Sequence, residues 1–249
     1  MRAGVPTINV LGVPVAALTA PQAIAEVSGL LAEPGPQTLV YVNAHSVNLA
    51  RSHNRYRACL ADADLVLNDG SGMALAARLR GRRFPANLNG TDFTPEVLRL
   101  AAREGLGVFL LGGRPGVAAR AADRLRARVP GLRVVGHHHG YIADHHAVTA
   151  QIRATGADIV LVAMGNPRQE LWLAEHLPST GAELGVAVGA FLDFAADRIP
   201  RAPRWMRAAG IEWLYRLSRE PLRLFARYVV GNPLFVARVL FDRVLATTR

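Results

Sequence analysis

The chain has 249 residues, of which 51% are hydrophobic and 19% are charged. This length accommodates one large α/β domain, alone or with an appendage, and leaves little room for two independent full-sized domains. No stretch reaches the roughly 18 uninterrupted apolar residues of a membrane span, and the N-terminus lacks a signal-peptide layout, so we expect a cytoplasmic protein. The single cysteine, Cys59, excludes an intramolecular disulfide and is interpreted as a small buried thiol.

The positive charge is concentrated at the C-terminal end. All 29 basic residues are arginine, and the formal net charge is +10. Eleven of these arginines lie between residues 198 and 249, against three acids in the same segment. Such asymmetry predicts a basic segment that faces an anionic partner, with nucleic acid, phospholipid and pyrophosphate as candidates.

Short apolar runs alternate with helical patterns along most of the chain. The runs predict strands at residues 38–43, 63–69, 107–113, 132–138, 157–165 and 184–191. The helical patterns lie at residues 44–62, 70–80, 92–104, 115–129, 144–155 and 168–177. This alternation predicts a Rossmann-like α/β fold with a mostly parallel sheet and helices on both faces. Near residue 198 the alternation of apolar runs and helical patterns gives way to an Arg-rich sequence. We therefore predict a core of residues 1–197 and a helical, Arg-rich appendage of residues 198–249.

Polar side chains follow the first two predicted strands. Asn43 ends "TLVYVN", and Asp69 ends the strand in "VLNDGSGM". Strand ends in open α/β sheets are where ligands bind, so Asp69 is either a chemical centre or a cap of the next helix. Asn43 has the same two interpretations, because asparagine is a favourable helix N-cap.

A glycine-rich turn follows the third predicted strand. Gly112, Gly113 and Gly116 could bring backbone N–H groups and a helix N-terminus close to a diphosphate, or could form only a tight turn. Their spacing does not match the dinucleotide fingerprint GxGxxG, and the acid that accompanies that fingerprint is also missing. The sequence therefore disfavours a nicotinamide-dependent enzyme.

Two groups of residues suggest a metal site without completing one. Asp62 and Asp64 spell the DxD of metal-using glycosyltransferases, but the pair precedes its strand and is interpreted as a solvated helix end. The histidines in "GHHHGY" and "DHHA" lack a cysteine or acid pattern that would complete a zinc site. We predict no metal and no other cofactor.

The C-terminal segment carries an amphipathic pattern. On a helical wheel Arg219, Arg223 and Arg227 share a face with Arg216, whereas apolar side chains such as Leu217 occupy the other. One interpretation is an ordinary helix packed on the core with a solvated Arg face. The other is a face that contacts anionic lipid headgroups and a diphosphate, because arginine is suited to bidentate phosphate contacts. A proline at position 221 would interrupt a continuous helix.

Three sequence blocks together resemble the WecG/TagA/CpsF family of bacterial glycosyltransferases, glycosyltransferase family 26. They are "NDGSGM" with "NGTDF", then "AMGNPRQE", and "VGAFLDFAADRIPRAPRWMRAAGIEWLYRLSREPLR". The resemblance implies transfer of a hexose-type sugar, with N-acetylmannosamine as the first candidate, from a UDP donor to a sugar on an undecaprenyl-diphosphate carrier. It also implies inversion at the anomeric carbon, no bound metal, and a role in cell-surface polysaccharide or teichoic-acid-type synthesis.

The resemblance also assigns roles to residues. Asp69 matches the catalytic base that takes the proton from the acceptor hydroxyl, while Asn43 and Gln169 match active-site residues that orient sugars. Tyr141 and Asp193 match positions associated with the uracil and the ribose of the donor. Taken alone, Gln169 could equally be a surface residue near a helix start, and Tyr141 and Asp193 could be core residues.

Two positions depart from the pattern of that family. Tyr41 stands where threonine is common, and Asn87 stands where arginine is expected, which leaves the identity of the sugar open.

By resemblance the tail docks at the inner face of the cell membrane and closes over the site. Arg216, Arg223 and Arg227 then engage the lipid diphosphate and the anionic membrane surface.

Other functions compete with this interpretation. A different UDP-hexose donor in exopolysaccharide synthesis is the alternative within the family. A basic nucleic-acid-binding protein is the alternative of another class. Binding of single strands usually pairs basic charge with displayed aromatic side chains, and the tail offers Trp205, Trp213, Tyr215 and Tyr228. We predict no nucleic-acid partner, and we leave open whether the protein forms a homo-oligomer.

Overall fold

The computed structural model describes residues 4–247, and their side chains except those at positions 204, 208 and 243–247. Eight strands occur in this part of the chain. They are β1 (Thr7–Val10), β2 (Val13–Ala16), β3 (Gln37–Val42), β4 (Leu65–Asn68), β5 (Gly107–Gly112), β6 (Arg133–His138), β7 (Ile159–Ala163) and β8 (Leu184–Ala187). Strands β1 and β2 form an antiparallel hairpin, and the other six form a parallel sheet in the order β4-β3-β8-β7-β5-β6.

Helices cover both faces of the parallel sheet, as the alternating pattern predicts. They are α1 (Ala20–Leu31), α2 (Ala44–Ser52), α3 (Asn54–Asp62), α4 (Ser71–Leu79), α5 (Gly90–Glu104), α6 (Val117–Arg128), α7 (His145–Thr155), α8 (Arg168–Thr180), α9 (Phe191–Ala195), α10 (Arg204–Ala208), α11 (Glu212–Arg219), α12 (Pro221–Phe225) and α13 (Gly231–Thr247). A π-helical turn, Ala226–Val230, joins α12 to α13. The predicted α/β fold with a helical C-terminal segment is confirmed.

The predicted helix over residues 44–62 is in fact two helices. His53 separates α2 from α3 with an extended backbone, at φ −128° and ψ 94°. Its ring Nδ1 accepts a hydrogen bond from the backbone N–H of Tyr56 at 3.1 Å, so His53 caps α3. The helical periodicity continues across this cap, which is why the pattern alone predicted one helix.

The central strands read as continuous apolar runs because both of their faces are buried. Residues alternate between two apolar layers, with Leu39 and Tyr41 of β3 in one layer and Val40 and Val42 in the other. Close packing of helices on the sheet needs small residues. A Cβ atom on Gly185 of β8 would lie 2.4 Å from Cδ2 of Leu173 in α8.

The C-terminal segment crosses the edge of the sheet where the parallel strands end. Helix α13 packs on α2 and α4, and its Phe235 and Val239 are fully buried. The stretch Pro221–Asp242 is long and apolar enough to cross a membrane by length and composition, with a mean hydropathy of 1.4. Only 22% of its most apolar part is buried, and within that part Phe235 and Val239 pack on the core.

Candidate active site

A cleft of about 920 Å³ lies between the carboxyl ends of the parallel strands and the C-terminal helices. The ends of β3, β4, β7 and β8 and the loop after β5 meet there because parallel strands terminate at one edge of the sheet. Asn43, Asp69 and Gln169 all line this cleft, together with Tyr141 and Asp193. Five positions that lie up to 150 residues apart in the chain are thus brought to one cavity.

Asn43 contacts Asp69 and caps helix α2 at the same time. Its Oδ1 accepts from the backbone N–H groups of His45 and Ser46, at 3.1 and 3.2 Å. Its Nδ2 donates to Oδ2 of Asp69 at 3.3 Å. The helix cap therefore orients the amide so that its donor end faces the carboxylate.

Asp69 does not cap the helix that follows it. The N-cap of α4 is Gly70, at φ 91°, and this cap position makes no side-chain hydrogen bond. The backbone around the carboxylate is fixed instead by the N–H of Asp69, which donates to the Val42 carbonyl, and by that of Gly70, which donates to Oδ1 of Asn87 at 3.0 Å. Asn87, one of the two departures from the family pattern, thus supports the loop that carries Asp69.

The surroundings of Asp69 act on its pKa in opposite directions. Burial raises the pKa above its ordinary value, whereas the hydrogen bond from Asn43 and the charges of Arg227 and Arg216 lower it. The net direction is upward. A carboxylate with a raised pKa is a stronger base, so this position is chemically suited to take a proton.

Gln169 lies in the first turn of α8 and is buried, with 2% of its surface exposed, so the surface interpretation does not hold. Its Oε1 accepts from the backbone N–H groups of Gly165 and Gly189, at 3.1 and 3.0 Å. Its Nε2 donates to Oε1 of Glu170 at 2.9 Å. The amide therefore ties the loops after β7 and β8 together at the floor of the cleft.

Glu170, in the first turn of α8, is buried beside Gln169, also with 2% of its surface exposed. Its Oε1 also accepts from Nδ2 of Asn166 at 2.6 Å, and its Oε2 is buried without a hydrogen-bond partner among the residues described. Burial raises the pKa of Glu170 to about 7. In the sequence, only the position of Glu170 next to Gln169 indicates that it lies near the site.

The residues predicted to bind the nucleotide line the same cleft. Tyr141 stands at the rim with 64% of its surface exposed, so its ring is accessible. Oδ1 of Asp193 accepts from Arg198 at 2.8 Å. Gly113 borders the cleft, and its N–H already donates to the Ala163 carbonyl at 3.0 Å. These roles stay predictions.

Gly112 serves the packing of the turn. It lies at φ 142°, and a Cβ atom there would lie 2.3 Å from the carbonyl oxygen of Ala163. Glycine at this position therefore allows β5 and β7 to approach closely at the point where the turn begins.

Three arginines of the C-terminal segment face the cleft. Arg216, Arg223 and Arg227 line the wall opposite Asp69. The Nε atoms of Arg216 and Arg227 are buried and have no hydrogen-bond partner within the described part of the chain. Burial lowers the pKa of Arg227. The contact of these three side chains with an anionic membrane surface stays a prediction.

The cleft contains further polar residues that the sequence did not single out. Arg114, Arg168 and Arg238 also line it, which makes the cavity strongly cationic. His45 lies in the same wall, and burial together with the charge of Arg227 lowers its pKa to about 4. His45 is therefore neutral at physiological pH. Among these residues, only Arg114 has a sequence position, next to the glycine turn, that indicates a place in the cleft.

The DxD residues lie away from the cleft. Oδ2 of Asp64 accepts from the backbone N–H of Thr38 at 2.8 Å, at the amino end of β3. Among residues 4–247 with described side chains, no group of three or more histidine, cysteine, aspartate or glutamate residues is placed to hold a metal ion.

Comparison with known proteins gives the family. A model described as "Glycosyl transferase WecG/TagA/CpsF family" matches residues 8–249. The N-acetylglucosaminyldiphosphoundecaprenol N-acetyl-beta-D-mannosaminyltransferase of Bacillus spizizenii is 30% identical over 191 residues, which cover 77% of this chain and 74% of that protein. The resemblance that the three sequence blocks indicated is confirmed. The chain belongs to the WecG/TagA/CpsF family of glycosyltransferases.

Proposed function

We propose that this glycosyltransferase moves a hexose-type sugar from a UDP donor to a sugar on a polyprenyl-diphosphate carrier, with inversion. The observation that carries the proposal is the placement of Asp69 opposite Arg216, Arg223 and Arg227 in one cleft. The name of the Bacillus spizizenii relative makes N-acetylmannosamine the first donor sugar to test. A different UDP-hexose, for exopolysaccharide synthesis, is the alternative.

In the proposed reaction Asp69 removes the proton from the acceptor hydroxyl as that oxygen attacks the anomeric carbon. The bond from the anomeric carbon to the UDP oxygen breaks, and UDP leaves from the opposite face, which inverts the configuration. General-base assistance of this kind contributes about 10²- to 10⁴-fold to the rate. Asn43 supports the step because its amide, fixed by the helix cap, holds the Asp69 carboxylate.

The tail arginines are suited to the charge on the diphosphates. Negative charge grows on the leaving UDP as the glycosidic bond breaks, and preorganised cations stabilise that charge. Arg216 and Arg227 line the cleft and are suited to bind phosphate oxygens, and the exposed Arg223 lines it as well. We assign these arginines to the donor and acceptor diphosphates together.

We assign the nucleotide to the part of the cleft that Tyr141 and Asp193 line. The accessible ring of Tyr141 can stack on uracil, and the Oδ2 atom that Asp193 does not give to Arg198 can accept from ribose hydroxyls. Gly113 leaves room for the donor between these two residues. The donor would thus extend along the strand ends toward Asp69.

Residues 198–249 are proposed to attach the enzyme to the inner face of the cell membrane. The outer side of α12 and α13 is apolar, and Leu222 is 99% exposed. Phe225 of α12 and Phe241 of α13 are also exposed. Insertion of this apolar face would place the cleft, which Arg216, Arg223 and Arg227 line, at the lipid surface.

The experiment is transfer of labelled sugar from a UDP donor to a short-chain polyprenyl-diphosphate-N-acetylglucosamine, with the anomeric configuration of the product read by NMR. Inversion of the donor configuration is expected, and retention would refute the single-displacement reaction. In parallel, the double variant Leu222→Glu/Phe225→Glu should lose binding to anionic liposomes. Unchanged binding would refute attachment through this face, and Leu75→Glu, an exposed apolar site on α4, serves as the matched control.

A further inference from the structure

The aromatic ring of Tyr41 lines the cleft near the Asn43–Asp69 pair. Tyr41 precedes Asn43 by two residues on β3, and Leu67, its partner in the register with β4, precedes Asp69 by two. Side chains two residues apart on a strand point to the same face of the sheet. Tyr41 lines the cleft although only 5% of its surface is exposed, and the charge of Asp69 acts on its hydroxyl, so the ring lies close to that carboxylate.

Contacts on several sides fix the position of this ring. The hydroxyl of Tyr41 lies 3.2 Å from Oγ1 of Thr94, and the ring meets Phe93 edge-on at a centroid distance of 6.5 Å. A Cβ atom on Gly90 would lie 2.9 Å from Cδ2 of Tyr41, so glycine at the start of α5 makes the space for the ring. Burial, and also the charge of Asp69, raises the pKa of Tyr41, as expected for a ring close to that carboxylate.

From these contacts we propose that Tyr41 is a specificity-determining residue, which limits the size of the substituent that the transferred sugar can carry on the face toward the sheet. The inference rests on the proposed function. Asp69 must reach the hydroxyl that attacks the anomeric carbon, so the sugar ring of the donor lies beside Asp69 and above Tyr41. In this proposal the tyrosine ring occupies space that an acetamido group would need, whereas a hydroxyl group is smaller.

This limit on the size of the sugar substituent distinguishes two classes of donor that the proposed function leaves open, N-acetylated UDP-hexosamines and unmodified UDP-hexoses. With tyrosine at position 41 the cleft favours a hexose with a free hydroxyl over the corresponding N-acetylhexosamine. A smaller side chain opens space below Asp69 and moves the preference toward the N-acetylated donor. The direction of this change is the same whichever UDP-sugar supports the highest rate in the unmodified enzyme.

The test is the ratio of kcat/KM for an N-acetylated donor to kcat/KM for its hydroxyl counterpart. The pairs are UDP-N-acetylmannosamine with UDP-mannose, and UDP-N-acetylglucosamine with UDP-glucose. In Tyr41→Thr we expect the ratio to rise about tenfold or more, the range in which pocket size discriminates between substrates. The matched control is Tyr41→Phe, which keeps the ring and loses only the contact with Thr94, so its ratio should remain within about threefold of the original.

A general loss of stability lowers both rates and leaves their ratio unchanged, so the ratio reports on specificity alone. Where Tyr41→Thr fails to fold, Tyr41→Leu removes the aromatic ring with less loss of packing and replaces it in the test. An unchanged ratio in a folded, active variant would overturn this inference and leave the proposed function intact. Absence of turnover by the unmodified enzyme with every UDP-sugar would overturn both.

Discussion

Replacement of Asp69 by asparagine removes the proposed base and keeps the shape of the site. Asparagine has nearly the same size as aspartate, and its Oδ1 can still accept from Nδ2 of Asn43, which lies 3.3 Å from the present carboxylate oxygen. Because burial already raises the pKa of Asp69, a neutral amide is compatible with this position. We therefore expect the fold to be retained.

The expected loss is about 10²- to 10⁴-fold in kcat, the usual contribution of a general base. It corresponds to about 3–5 kcal/mol of transition-state stabilisation, at roughly 1.4 kcal/mol for each factor of ten. UDP affinity should change little, because the nucleotide is assigned to Tyr141 and Asp193. In the unmodified enzyme kcat/KM should fall on acidification as Asp69 becomes protonated, with an apparent pKa above the ordinary 3.8 of aspartate.

The assay measures steady-state UDP release together with UDP binding by calorimetry. The matched control is Asp64→Asn, since Asp64 accepts hydrogen bonds from Thr38 at the amino end of the sheet, away from the cleft. A folded Asp69→Asn variant with kcat within about threefold of the unmodified enzyme would refute the role of Asp69 as the base. A loss of kcat that only follows a loss of thermal stability would also refute it.

Three further predictions concern the surroundings of the cleft. The pKa of Glu170 is raised from 4.5 to about 7, so the folded state binds its proton more tightly than the unfolded state does. Stability should therefore decrease between pH 5 and pH 8, by an amount on the order of 3 kcal/mol, and urea unfolding of Glu170→Gln should lack this decrease. Arg227→Ala should raise KM for the lipid-linked acceptor about 10- to 100-fold, as expected for loss of a charged hydrogen bond, whereas Arg219→Ala, which does not line the cleft, should leave KM unchanged. Gly185→Ala should lower the free energy of unfolding by about 1–3 kcal/mol, because its Cβ would overlap Leu173, and an unchanged melting temperature would contradict the packing described.

The parallel sheet could be predicted from the sequence because strands buried on both faces are continuous apolar runs. The N-terminal hairpin of β1 and β2 was missed, because prolines and glycines interrupt the apolar residues of "GVPTINVLGVPVA". The break between α2 and α3 was also missed. It depends on a hydrogen bond from the Tyr56 backbone to the His53 ring, and such a cap leaves the helical periodicity intact.

The candidate site could be predicted where it depends on strand ends. Asn43 and Asp69 end neighbouring parallel strands, so their proximity follows from the topology. The inward direction of Arg227 and the burial of Glu170 could not be predicted, because both depend on how the C-terminal helices and α8 pack on the sheet. Sequence periodicity distinguishes a polar face from an apolar face, but it does not say which of them meets a cavity.

The most direct test of the proposed reaction is UDP release from a panel of UDP-sugars, with and without a short-chain undecaprenyl-diphosphate-N-acetylglucosamine analogue. The panel includes UDP-N-acetylmannosamine and the unmodified UDP-hexoses, and each reaction is run with EDTA present. We expect release that requires both one UDP-sugar and the lipid-linked acceptor. Absence of release across the whole panel, from protein shown to be folded, would contradict the proposed reaction.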